Sequence, residues 1–221
     1  GINSLPAKCL NGEGFILDKN YPKWINLDTD MKFFRRVFVQ AQITDDLTIE
    51  GLCQAKEMGY AAQDFRKDVH REGSVDEFVQ QTQEAAVDIT ISDYEIKNLE
   101  VIGSDINTKF KFSMENKFED VGEFITLQPI LFKDVEKNPF TKEEREFNID
   151  FLYPRSIDYT YIYTIPEGFA IEEIPKPTRV NNEEKTISFL LNSVAQGNKV
   201  TVTLKFQIDN KLYQAHKYQE I

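Results

Sequence analysis

The chain has few residues of the kinds that carry metal or nucleophilic chemistry. Its 221 residues include two cysteines, Cys9 and Cys53, two histidines, His70 and His216, and one tryptophan, Trp24. Two cysteines make no disulfide framework, and neither cysteine nor histidine has the short-interval partners that zinc requires. No apolar run approaches the twenty or so residues that span a bilayer. The N-terminal GINSLPAKCL has neither a basic region nor an apolar signal core, and it opens without Met, which reads as a processed protein or a piece of something longer. Positive charge is also in deficit. Against 37 acidic residues stand 26 basic ones, a net charge of −11 that repels phosphate backbones and anionic lipid, so the expected partners include no nucleic acid and no membrane. Fixed-period repeats and low-complexity tracts are lacking.

A search for chemistry among the remaining residues is similarly negative. A nucleophilic thiol or hydroxyl needs a base within hydrogen-bond reach and a third group to orient that base. Cys53 shares a strand face with Leu47, Ile49 and Ala55 and reads as a small buried hydrophobe. Cys9 lies in the loop-like Lys8-Cys9-Leu10-Asn11-Gly12, where only Lys8 would lower its pKa. His70 sits among Arg66, Lys67 and Arg71 at a polar helix end, and His216 near the C-terminus; both read as solvated. The Asn11-Gly12-Glu13-Gly14 segment lacks the preceding strand and following Lys-Ser/Thr of a phosphate loop. Glu172-Glu173 and Glu183-Glu184 are sequence neighbours, so on a strand they would face opposite ways. Asp45-Asp46 suits turn chemistry better than calcium, which wants six or more oxygens. No catalytic, cofactor-binding or metal-binding residue is assigned, and no cofactor is expected.

What the chain does have is a sustained period of two. Val37, Val39, Ala41 and Ile43 alternate with polar residues, and after Thr44-Asp45-Asp46 the alternation resumes through Leu47, Ile49, Cys53 and Ala55, the pattern of a hairpin ending at Gly59. Ala61, Ala62, Phe65 and Val69 recur at helical spacing up to Gly73. Ser74 and Glu77 form a capping-box pattern ahead of a second helix that runs to about Glu84. Strands return with Val87, Ile89 and Ile91, and with Phe110, Phe112 and Met114. Residues 133–146, charged and broken by Pro139, mark a domain junction. Beyond it Tyr159, Tyr161 and Tyr163 alternate along a strand broken at Pro166-Glu167-Gly168, followed by Phe169, Ile171 and Ile174. This stretch reads as the edge of a β-sandwich. Val200, Val202, Leu204, Phe206 and Ile208 form the clearest strand of all. The expected fold is therefore mainly β (α+β), of antiparallel β-sandwich type, with two β-rich subdomains and one or two short helices. Residues 1–30 are expected as a linker, 31–135 as a β-rich domain with helices near 60–84, and 146–221 as a C-terminal sandwich.

The run Tyr159-Thr-Tyr-Ile-Tyr-Thr-Ile-Pro-Glu-Gly-Phe, with Glu173-Ile174-Pro175-Lys176 after it, resembles the C-terminal region that follows the transglutaminase-like core in large secreted proteins of Gram-negative bacteria. Leu5-Pro6-Ala-Lys-Cys9-Leu10-Asn11-Gly12 looks like the loop downstream of that core, and Gly59-Tyr60-Ala61-Ala62 with Arg66 like the next segment, so the resemblance runs over nearly the whole chain. In that superfamily the papain-like triad comes in the order Cys, His, Asp. Trp24-Ile-Asn-Leu-Asp28-Thr-Asp30 mimics the aspartate motif, but no His precedes Asp28 and the only preceding thiol is Cys9. The resemblance thus implies a secreted or periplasmic, non-catalytic accessory module, which packs on or orients substrate for an upstream core of the same polypeptide. The alternative is an independent peptide- or glycan-binding module with Trp24, Phe38, Tyr159, Tyr161 and Tyr163 as contacts, although aromatics at strand spacing also suit a core.

Overall fold

A computed structural model describes residues 5–85, 88–132 and 139–220. The chain is mainly β, with two helices and one large mixed sheet. After a 3₁₀ turn at Ala7–Cys9 come β1 (Glu13–Ile16) and β2 (Lys23–Asn26), a separate two-stranded ribbon. Next are β3 (Phe33–Ile43), β4 (Ile49–Gly59), α1 (Tyr60–Glu72), α2 (Val75–Ala85), β5 (Ile89–Lys97) and β6 (Ile106–Met114). The hairpin β7 (Phe118–Val121) and β8 (Phe124–Leu127) and the short β9 (Ile149–Asp150) follow. The chain then completes with β10 (Arg155–Thr164), β11 (Thr178–Asn181), β12 (Ile187–Gln196), β13 (Lys199–Ile208), β14 (Leu212–Tyr213) and a 3₁₀ turn at Ala215–Glu220.

Eight strands join in the order β11-β12-β13-β10-β3-β4-β6-β5. All neighbours are antiparallel except β10 and β3, which run parallel in register from Arg155 opposite Phe33 to Thr164 opposite Gln42. This seam joins the two halves expected as separate domains. Of the expected junction, residues 133–138 lie outside the described residues, and strands on both sides of it enter one sheet. The expected linker also carries structure, since residues 13–26 hold the β1–β2 ribbon.

The tyrosine strand is not an edge. β10 lies fourth in the sheet, flanked by β13 and β3, so both sides of its backbone are hydrogen-bonded. The Pro and Gly residues that suggested an edge fall after it, where residues 165–177 form no strand; Ile165, Ile171 and Ile174 from that stretch pack on the core instead. The β3–β4 turn forms around Asp45 and Asp46, with Thr44 N–H donating to Thr48 O at 2.9 Å. Leu47, expected on the strand, takes a left-handed φ of 62° in that turn, and β4 begins at Ile49. Both expected helices form. Ser74 caps the second, accepting from the Glu77 N–H at 3.1 Å while its hydroxyl donates to Glu77 Oε2 at 2.9 Å. Gly59 switches β4 into α1 at φ 59°, where a Cβ would stand 2.1 Å from Lys32 O. The expected strand residue Val87 lies outside the described residues.

Pairing aligns the alternations of all eight strands. Val39, Cys53, Phe110, Tyr161, Val202 and Ser193 share one register line and one face. That face is the core, and every buried residue in the eight strands lies on it. Short pieces cover it: Leu10, Tyr60 and Ala61, the β7–β8 hairpin through Phe118 and Leu127, and residues 130–132. The tyrosines hold this cover down. Tyr163 donates to Pro129 O at 2.6 Å, and Tyr161 both donates to Phe132 O and accepts from Phe132 N–H, at 3.1 and 3.3 Å. Phe132 in turn packs edge-on against Phe112, 5.5 Å between centroids. Space for the Phe112 ring comes from Gly51 on the neighbouring strand, where a Cβ would meet Phe112 Cζ and Gln40 O, each at 2.7 Å.

Candidate functional site

The core face holds one of the two thiols that a sequence search for nucleophiles considers first, and it disarms that thiol. Cys53 is 3% exposed, and burial, reinforced by the negative charge of Glu57, pushes its thiol up to about 12, so it stays protonated at any ordinary pH. Glu57 is itself buried and takes both of its oxygens to Arg35 Nε at 2.9 Å, a structural ion pair rather than a free base. Cys9 is exposed on its 3₁₀ turn, and both cysteines are free thiols. His70 and His216 are exposed at the end of α1 and in the C-terminal 3₁₀ turn. Asp28, the mimic of a triad aspartate, is engaged by Lys211 and by Asn26 Nδ2, and the hydrogen bond from Lys211, then that from Asn26, holds its carboxyl below the usual carboxylate range. Among the described residues no three His, Cys, Asp or Glu side chains gather in a way that could hold a metal ion.

The five aromatics considered as a binding platform divide in two. Tyr159, Tyr161 and Tyr163 are 6% exposed or less and stack on one another 5.8 and 6.1 Å apart, so they belong to the core. Trp24 is 64% exposed on β2 and stands opposite Phe15 of β1, rings 5.1 Å apart, with Leu17 and Tyr21 also exposed beside the ribbon. Phe38 is half-buried on the outer face of the sheet.

That outer face is the second feature of the site. Among the described residues none of its side chains on the eight strands is buried. Where β3, β4, β6 and β5 meet, it forms a shallow concavity of about 320 Å³ lined by Arg36, Phe38, Gln54, Lys56, Asn107 and Lys109, among others. The alternation that fills one face with Val, Tyr and Phe leaves Arg, Lys, Gln and Thr on the other; the sequence signals an open face but not which charges meet there, since that depends on register. Lys56 lies directly opposite Arg36, and Lys109 opposite Gln54. Arg36 reaches Asp158 at 3.7 Å and Lys56 reaches Asp105 at 2.9 Å.

Comparison with known protein families finds one similarity. Residues 123–221 match a family described as a domain of unknown function with a solved-structure structure (DUF3858). The matched part takes in β8 to β14, and therefore the tyrosine strand and the clearest strand of the chain. No curated protein matches the chain.

Proposed function

We propose that this chain is a non-catalytic accessory module of a secreted or periplasmic transglutaminase-like protein, which packs on or orients substrate for the catalytic core of the same polypeptide. The observation that carries the reading is the β1–β2 ribbon. Phe15, Leu17, Tyr21 and Trp24 are between 47% and 91% exposed on one small element, an apolar cluster of the kind that marks an interaction surface. The segment beside it, Leu5 to Gly12, bears the resemblance to the loop downstream of such a core. The engaged state of Asp28 and the buried state of Cys53 support a module without its own triad. The peptide- or glycan-platform alternative is weakened on the aromatic side, because three of its five contact residues are core.

The test joins the chain to a transglutaminase-like core and compares melting and turnover of the core with the wild-type ribbon and with the Phe15→Ser/Trp24→Ser variant. The expected result is a core stabilised by the wild-type module and less so by the variant, with the isolated chain inactive in transamidation and peptidase assays. A core whose melting and turnover ignore the module would sink the reading.

A further inference from the structure

The sheet's outer face carries charge opposite to that of the rest of the molecule. Eight cations project from it against four carboxylates, Glu50, Glu95, Asp158 and Asp93 of the β5 bulge, which reaches Lys111 at 2.7 Å; that leaves 18 cations and 33 carboxylates to the remainder of the chain. One register line crosses all eight strands and holds Arg179, Lys205, Arg36, Lys56 and Lys97 with a single carboxylate, Asp158. At about 4.8 Å per strand this line is roughly 34 Å long. Lysines on sheet edges guard against edge-to-edge pairing, but Arg36, Lys56 and Lys205 sit on interior strands, where that purpose does not apply. Arg36 directly opposite Lys56 is, moreover, a like-charge cross-strand pair that costs stability. Some of the row is neutralised locally, Arg36 by Asp158, Lys56 by Asp105 and Lys97 by Glu95. Among the described residues Lys199 and Arg179 form no ion pair, nor do Lys109 and Lys205, which stand opposite Glu95 and Asp158, carboxylates already engaged by Lys97 and Arg36.

The geometry points to the outer face of this sheet as a docking surface for an acidic polypeptide. Charge complementarity selects an anionic partner. Phe38, Leu52 and Ile162, all partly exposed between the cations, offer apolar contact, and Phe38, Arg36 and Arg179 are of the aromatic and arginine types enriched at protein interfaces. A long uniform polyanion fits less well, because beyond the face it meets a surface with an excess of carboxylates. This inference stands apart from the role of the ribbon, which lies outside the sheet.

The test measures binding of fluorescently labelled deca-L-glutamate, whose extended length of roughly 33 Å matches the row, to the intact chain by anisotropy, at low salt and at about 0.15 M, where the screening length is about 8 Å. Saturable binding that weakens with salt is expected. Lys109→Glu/Lys205→Glu should weaken it about tenfold or more, as expected for reversing charges in a complementary patch, whereas Lys19→Glu/Lys23→Glu on the ribbon should change it little. Lys109→Gln/Lys205→Gln should fall between wild type and the reversal, and an unchanged melting temperature for each variant shows that the fold is intact. Absence of binding, equal loss in both double reversals, or tighter binding of oligothymidylate or oligogalacturonate of the same length than of deca-L-glutamate would overturn the proposal.

Discussion

The two cysteines show how position in the fold governs a residue's chemistry. Cys9 lies exposed on a short turn, while Cys53 lies under the sheet's cover beside Glu57, and the folded chain holds its proton to about pH 12 where an exposed thiol releases it near 9.0. A thiol reagent should therefore modify Cys9 alone in the native protein, and mass spectrometry after native alkylation checks this. The same burial has a thermodynamic sign. The folded pKa is raised, so the stabilisation is complete below the unfolded value and is lost as pH climbs from about 9 towards 12, at about 1.4 kcal/mol per unit once the unfolded thiol is ionised. Burial raises the Tyr94 and Tyr163 phenols as well, and they add to the loss at higher pH, which leaves about pH 9 to 10 as the window that isolates the thiol. Urea unfolding across that window should show stability falling with pH in the wild type and a flatter profile in Cys53→Ala. Identical slopes would contradict the buried thiol.

At the scale of the element, β13 tests the register on which both faces depend. Val202 is fully buried, opposite Tyr161 on one side and Ser193 on the other, whereas its neighbour Thr201 turns outward between Ile162 and Val194. Val202→Asp sets a carboxylate among tyrosines and should cost several kcal/mol, enough to unfold a domain of ordinary stability. Thr201→Asp meets solvent and the cationic face and should stay within about 1 kcal/mol of wild type. Thermal melts of the two variants check the contrast, and equal melting temperatures would mean a strand shifted by one residue. The alternation of β13, the capped α2 and the Asp-Asp hairpin were legible in the sequence, because each depends on neighbours within a few positions. The central place of β10 was not. Its prolines and glycine lie nearby in sequence, whereas β3, its pairing partner, lies more than a hundred residues away.

For the whole molecule, the β3–β10 seam is decisive. Ten parallel pairs bind the first strand that each half contributes to the eight-stranded sheet, and the tyrosines of β10 then fasten residues 129–132 across the core face. Residues 123–221, the part with a family match, include β10 but lack β3, so in isolation they leave a long unpaired edge and an uncovered flank of the tyrosine ladder. That fragment should be aggregation-prone or lack a cooperative melt, and addition of residues 1–122 should restore a dispersed NMR spectrum. A fragment that melts cooperatively by itself would show that the seam is an interface between two folding units rather than part of one.

By itself the sequence determined that the chain is mainly β, where its helices sit, and which residues of each strand share a face. Those properties follow from local backbone preferences and from the two-residue period of a strand. Tertiary structure alone decided that both halves share one mixed sheet, that the tyrosines lie under a cover rather than at an edge, and that the cations of β3, β4, β5, β11 and β13 fall on one line. Long-range pairing chooses which strands become neighbours and in what register, and no local pattern in the sequence encodes that choice.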